Sequence, residues 1–172
     1  MTRLFTALLF FAALTPVALA AEGSVLLGQS RDWSSYSATA DYRQVCYALS
    51  QPHATEPRGV KRGAIYFLIS DWPSRHAKDE AEIVTGYKYK DGAPVTVEIG
   101  GQKFPFFSRN DGDNGTAWLL SLADSQHLID AMSRGASAVV TGVSSRGTVT
   151  RDTYNLSGLG DALNKIHASC GM

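Results

Sequence analysis

Four histidines, His53, His76, His127 and His167, are the side chains whose type best suits proton transfer or metal binding near neutral pH. None lies in an HExxH arrangement and no two are close in sequence, so the spacing points to neither a metal site nor a catalytic base. Gly142-Val143-Ser144-Ser145-Arg146-Gly147 approaches the serine nucleophile elbow but places its second glycine one position late. The elbow also needs a strand-to-helix turn, and a strand pattern follows here, so a Ser/Gly hairpin turn is expected instead. Asp111-Gly112-Asp113-Asn114-Gly115 offers carboxylates at alternating positions, as calcium loops do, yet its fifth position is Gly115 and no Glu closes it. A turn is the better reading. No glycine-rich phosphate loop is present, and no acidic pair can be assigned as a glycosidase dyad from sequence. Trp33, Trp72 and Trp118 read as core or hairpin anchors rather than sugar platforms. These residues define no catalytic motif, and no cofactor is expected.

The elements that position these side chains follow an N-terminal leader. Met1-Thr2-Arg3 carries one positive charge, Leu4 to Leu14 is largely apolar, and Ala18-Leu19-Ala20 supplies a small-x-small site. This is the pattern of a secretory signal peptide over 1–20, cleaved after Ala20; a retained anchor is the alternative. The run is shorter than the span of about 20 apolar residues that a membrane helix needs. No cysteine follows it to take a lipid, and no later segment has spanning character, so no integral membrane span is expected after cleavage. Residues 21–172 then form one domain with a core of its own. Arg3 is the only charge in the leader, which leaves 15 basic and 16 acidic residues, a net of −1. Such a balance argues against nucleic acid, whose binding draws on neutralised phosphates, and against a polybasic membrane patch.

The cysteines are two, Cys46 and Cys170. In an oxidising compartment they allow a single bridge. Closing so long a loop stabilises by about 4–5 kcal/mol in the chain-entropy account. Free thiols or metal ligands are the competing reading, but neither cysteine has a His or Cys partner at metal spacing.

Val45, Tyr47 and Leu49 alternate with polar or small residues, a strand period. Gln51–Lys61, with Pro52, Pro57 and Gly59, reads as a loop. Ala64–Ile69 is continuously apolar and reads as a strand buried on both faces, ended at Trp72-Pro73. The charged stretch Arg75–Glu82 reads as a turn or loop, and Ile83–Lys90 as a strand. Asp91-Gly92 and Gly100-Gly101 are hairpin turns flanking Val95–Ile99. Arg109–Thr116 reads as a polar loop and Ala117–Leu120 as a short strand. A helix starts at Asp124, with Leu128, Ile129 and Met132 on one face, and ends at Arg134-Gly135. Ala138–Val143 and Thr148–Tyr154 are strands joined at Arg146-Gly147. A last helix starts at Ser157 or Asp161 and carries Leu159, Ala162, Leu163 and Ile166 at helical spacing. Eight or nine strands joined by hairpins and two short helices predict a mainly β fold, an antiparallel β-sandwich or partly open barrel.

Taken in order, several short motifs are shared with a known family. They include Asp32-Trp33, Cys46-Tyr47, Arg62-Gly63-Ala64-Ile65-Tyr66-Phe67, Gly86-Tyr87, Val95–Phe104, Ala117-Trp118, Ser144-Ser145-Arg146-Gly147-Thr148, Asp152-Thr153-Tyr154, Leu156-Ser157-Gly158 and Cys170. This series resembles the invasion-associated locus B family of bacterial exported proteins over nearly all of the mature chain. The resemblance implies a β-rich exported domain, found mainly in alphaproteobacteria and named for a role in host-cell invasion. It brings no established catalytic residues. Arg62, Arg146 and Asp152 are the candidate binding residues, because charges at turns are available to ligands.

Two functions fit. One is a non-catalytic periplasmic or cell-surface interaction protein with an unidentified protein or envelope partner, which requires an exposed apolar or aromatic patch flanked by polar residues. The other is an exported enzyme or small-molecule-binding protein with a dispersed site, which requires converging titratable groups, such as His127 or His167 beside buried acids. Intact mass of the protein from a periplasmic fraction is expected to lack residues 1–20 and to rise by two protons on reduction. An uncleaved chain with two alkylatable thiols would contradict both export and the bridge.

Overall fold

Side-chain alternation along the chain builds the strands, and a computed structural model describes residues 23–172 of it. The expected leader, 1–20, lies outside the described residues. The first half contains β1 (Val25–Ser30), β2 (Trp33–Ala40), β3 (Arg43–Ser50), β4 (Ala54–Glu56), β5 (Tyr66–Trp72) and β6 (Ala77–Val84). The second contains β7 (Val95–Ile99), β8 (Gln102–Asp111), β9 (Asn114–Leu119), α1 (Ser125–Arg134), β10 (Ser137–Val143), β11 (Val149–Asn155) and α2 (Leu159–Cys170). All eleven strands join one antiparallel sheet of order β1-β2-β3-β5-β6-β9-β8-β7-β10-β11-β4. The sheet does not close into a barrel, and β1 and β4 are its edges. The fold is therefore mainly β with two helices, as the hairpin signals require.

The sheet curls until its two halves share a core. Phe67 on β5 lies between Trp33 on β2, 6.1 Å away by ring centroid, and Tyr154 on β11, 5.5 Å away edge-to-face. Trp33 donates its indole N–H to the Asn155 carbonyl at 3.0 Å, so the buried ring leaves no polar atom stranded. Helix α2 packs on β1, β2, β3 and β5 through Leu159, Ala162, Leu163, Ile166 and Cys170. The buried Ser35 hydroxyl on β2 donates to the Ala162 carbonyl at 3.1 Å. Cys46 on β3 and Cys170 at the end of α2 form the disulfide, with their Cα atoms 5.9 Å apart and a sequence separation of 124.

Several local expectations are corrected. The described residues hold eleven strands rather than eight or nine, because segments read as loops pair into the sheet. Arg75–Glu82 is mostly β6: Asp79, Ala81 and Ile83 face inward, while Lys78, Glu80 and Glu82 lie on the other face. Arg109–Thr116 holds the tight β8–β9 turn, in which Asp111 pairs with Asn114 and Gly112 takes φ +57°. The acidic loop is thus a hairpin tip. β4 lies within the expected 51–61 loop and pairs with β11. On β5, Phe67, Ile69 and Asp71 are buried on one face, while on the other Ser70 is buried and Leu68 and Trp72 are half-buried; Trp72 belongs to the strand before Pro73 starts a short 3-10 turn. Beyond Val84 the chain leaves the sheet, and Tyr89 makes only an isolated bridge to Ser144, so Asp91-Gly92 is a turn but not a hairpin between Tyr87–Lys90 and β7. Asp124 precedes α1 without a side-chain cap, and Gly158, rather than Ser157 or Asp161, caps α2.

Gly158 explains that last change. Its φ is +92°, and a Cβ there would collide with the Ser30 backbone. Gly147, in the β10–β11 turn, has φ +84° but open space around it. Gly147→Ala is expected to cost only the left-handed strain, about 1 kcal/mol, and Gly158→Ala at least twice that. Urea denaturation midpoints of the two variants measure the difference.

Candidate functional site

The core of the candidate site is an ion pair. Asp152 is an inward residue of β11, and Arg62 reaches it from the segment before β5. The guanidinium holds the carboxylate through two bonds of 2.6 Å, with side-chain exposures of 6% and 1%. Its Nε donates to the Thr85 carbonyl at 2.9 Å, and its plane lies 4.9 Å from the Tyr87 ring centre. Burial alone would lower the Arg62 pKa; the Asp152 carboxylate outweighs it and raises it above the ordinary value. Tyr87 shares a 2.7 Å hydrogen bond with Thr150. Burial raises the phenol pKa of Tyr87, Tyr89 and Tyr154. Among the described residues, the Tyr89 and Tyr154 hydroxyls have no hydrogen-bond partner.

Glycines make this cluster possible. A Cβ on Gly86 would lie 2.5 Å from the Gly63 carbonyl oxygen, so the segment carrying Arg62 can approach only a bare backbone. Gly115 and Gly142 leave room for the Tyr89 ring. Gly142 of the elbow-like motif is therefore a space-maker, and Ser144 to Thr148 form the expected turn, Ser144 Oγ accepting the Thr148 N–H at 3.2 Å.

Above the ion pair lies an open cleft of about 360 Å³. Lys61, Lys88 and Arg146 border it with Asp113, Ser145 and Thr148. Arg146 is exposed at the rim. The three candidate residues thus come together at one place but differ in what they present. Asp152 lies in a strand rather than a turn and is spent on Arg62, which leaves Arg146 as the accessible charge.

A second cluster was not found by motif. His167 on α2 stands 2.8 Å from Asp79 Oδ1 and 3.8 Å from Asp71 Oδ2. Asp71 is fully buried and Asp79 nearly so. A bulge between β5 and β6 sets this up: the register shifts between Ser70 and Trp72, and Asp79 takes φ +56°. The Asp79 N–H then donates to Asp71 Oδ1 at 3.0 Å. Desolvation raises the Asp71 pKa, opposed by that N–H and by His167. The available sequence signal was Asp79 itself, an acid at an inward position of an alternating strand. His127 instead packs edge-to-face on Phe104, 5.3 Å away, and His53 and His76 are exposed.

The outer face of β8 and β9 carries aromatic side chains. Phe107 and Trp118 pair across the strands with centroids 5.7 Å apart, and the exposed Leu120 lies beside them. Arg109 lies 5.7 Å from the Phe107 ring, and Glu80 closes the other side of a shallow hollow. Burial and the neighbouring Glu80 hold the Glu82 carboxyl above its ordinary pKa.

These features define a curled, antiparallel β-sheet domain clasped by one disulfide, with a basic cleft on one side and an aromatic face on another. Among the described residues, no helix is long and apolar enough to cross a membrane. The sequence pattern of the invasion associated locus B (IalB) proteins matches residues 33–167, and the chain belongs to that family. The crystal structure of invasion associated protein B from Bartonella henselae shares the fold, with a TM-score of 0.60 at 12% identity, over 87% of this chain and 100% of that one. No curated protein matches in sequence.

Removing one partner of a buried pair leaves the other charge without compensation. Asp152→Asn is expected to destabilise by about 3–5 kcal/mol, whereas the apolar double variant Arg62→Met/Asp152→Leu should lose clearly less. Urea unfolding of the two variants beside the parent measures both.

Proposed function

We propose that this chain is an exported, periplasmic or cell-surface interaction protein of the IalB type. Its leader, 1–20, is removed, and residues 21–172 act as one domain. It engages a protein or envelope partner without turnover, in host-cell invasion or in maintenance of the cell envelope. The observation that carries this reading is the outward Phe107–Trp118–Leu120 face with Arg109 and Glu80 at its rim. Aromatic side chains and arginine dominate binding energy at protein interfaces, and an apolar patch with a charged border is the form such sites take. The family's association with invasion and the disulfide support action outside the cytoplasm.

The second reading, an exported enzyme or small-molecule-binding protein, is favoured by a different observation: His167 beside the buried Asp71 and Asp79. The basic cleft at Arg146 would suit an anionic ligand in the same reading.

The oxidised mature protein, immobilised, is expected to retain a component of host-cell membranes or of the producing cell's own envelope. The Phe107→Ser/Trp118→Ser variant, with its disulfide intact, should bind that component at least tenfold more weakly. Equal retention by parent and variant would remove the aromatic face from the function.

A further inference from the structure

We propose that Asp71, Asp79 and His167 form a binding site for one divalent transition-metal cation of the zinc class. The three donors come from β5, β6 and α2, far apart in sequence. Nothing in their spacing announced them, and no metal was expected from the sequence. Their ligand atoms all lie within 4.8 Å of one another. Donors about 2.0–2.2 Å from a tetrahedral zinc ion stand about 3.4 Å apart. The separations from His167 Nε2, 2.8 Å to Asp79 and 3.8 Å to Asp71, bracket that value, so a small rotation of the imidazole equalises them.

Two independent observations point to a cation. Asp71 Oδ2 is buried, faces the cluster, and has no hydrogen-bond donor among the described residues. Such an atom forgoes its solvation without return unless a donor or a cation meets it. The charges also need balancing. Two carboxylates stand together here against one imidazole, while the nearby Lys78 is exposed. A divalent ion bound by two carboxylates and a neutral histidine leaves the set without net charge.

One nitrogen and two oxygens suit zinc among the borderline cations, and exclude the all-oxygen shell that calcium prefers. His167 is 21% exposed in its side chain, which gives the ion a path from solvent and leaves a fourth position for water or a ligand group. The other side of the cluster is fixed: Cys46 pairs with Asp71 across β3 and β5, and Cys170 stands three residues after His167. The disulfide ties α2, which carries His167, to β3, the strand that pairs with β5 at Asp71. The site is independent of the aromatic face proposed for docking.

The test uses the oxidised mature protein, stripped with a chelator and titrated with zinc alone. Native mass spectrometry is expected to show one ion per chain, with the thermal midpoint raised. His167→Gln and Asp79→Asn should each weaken binding at least tenfold, while His53→Gln/His76→Gln should leave it unchanged. Absence of stoichiometric binding to the parent, or full binding by folded His167→Gln, would overturn the proposal. X-ray absorption of the parent's zinc complex needs no variant. One imidazole with oxygen donors supports the site, and two or more imidazoles would refute it.

Discussion

The carboxylate of Asp152 sits on an inward position of β11, sealed from solvent, and the protein itself must answer its charge. Only a cation delivered across the curl of the sheet can do so. Arg62 comes from the segment before β5, and β5 lies on the opposite half of the sheet from β11. The pair thereby ties the two halves at one point. Its demands spread outward: Gly63 and Gly86 must let two backbones touch, and Tyr87 must lie against the guanidinium. Gly115 and Gly142 must stay bare so that Tyr89 can fill the space beside it. Buried ion pairs contribute little net stability relative to apolar substitutes, and the geometric result of this one is that the segment before β5 meets β11 at a single point.

The opposite end of the core is held by different means. There α2 covers β1, β2, β3 and β5, and the disulfide fastens its last residue to β3. Constraint of the unfolded chain, rather than any contact in the folded one, is the usual source of such a bridge's effect. Between these two fixed points the outer face of β8 and β9 carries little packing duty, and its aromatic side chains are the ones the fold can leave for other uses.

Elements with a clean period were legible in the sequence. The β7–β8 hairpin at Gly100-Gly101, α1 and α2 follow directly from alternation, turn residues and helical spacing. Charge hid the rest. Lys78, Glu80 and Glu82 made β6 look like a loop, although Ala81 and Ile83 kept the strand period; the break in the pattern was Asp79, turned inward by a bulge. The same inward acid belongs to the His167 cluster, so the misread strand and the missed site have one cause. Arg62 and Asp152 stood out as charged residues among family-like motifs, but their pairing over 90 residues depends on the curl of the sheet, which no local pattern encodes. Arg146 needed only its turn, and the turn was readable.

The placement of the two cysteines also governs timing. In a chain threaded through a membrane from its N-terminus, Cys46 reaches the far side 124 residues before its partner. Helix α2 and the clasp therefore arrive last, after every strand has had the opportunity to pair. With no third cysteine in the chain, the early thiol has no wrong partner within its own molecule while it waits. On the proposed export route, oxidation is then the finishing step, and the sheet holds its shape unaided until it occurs.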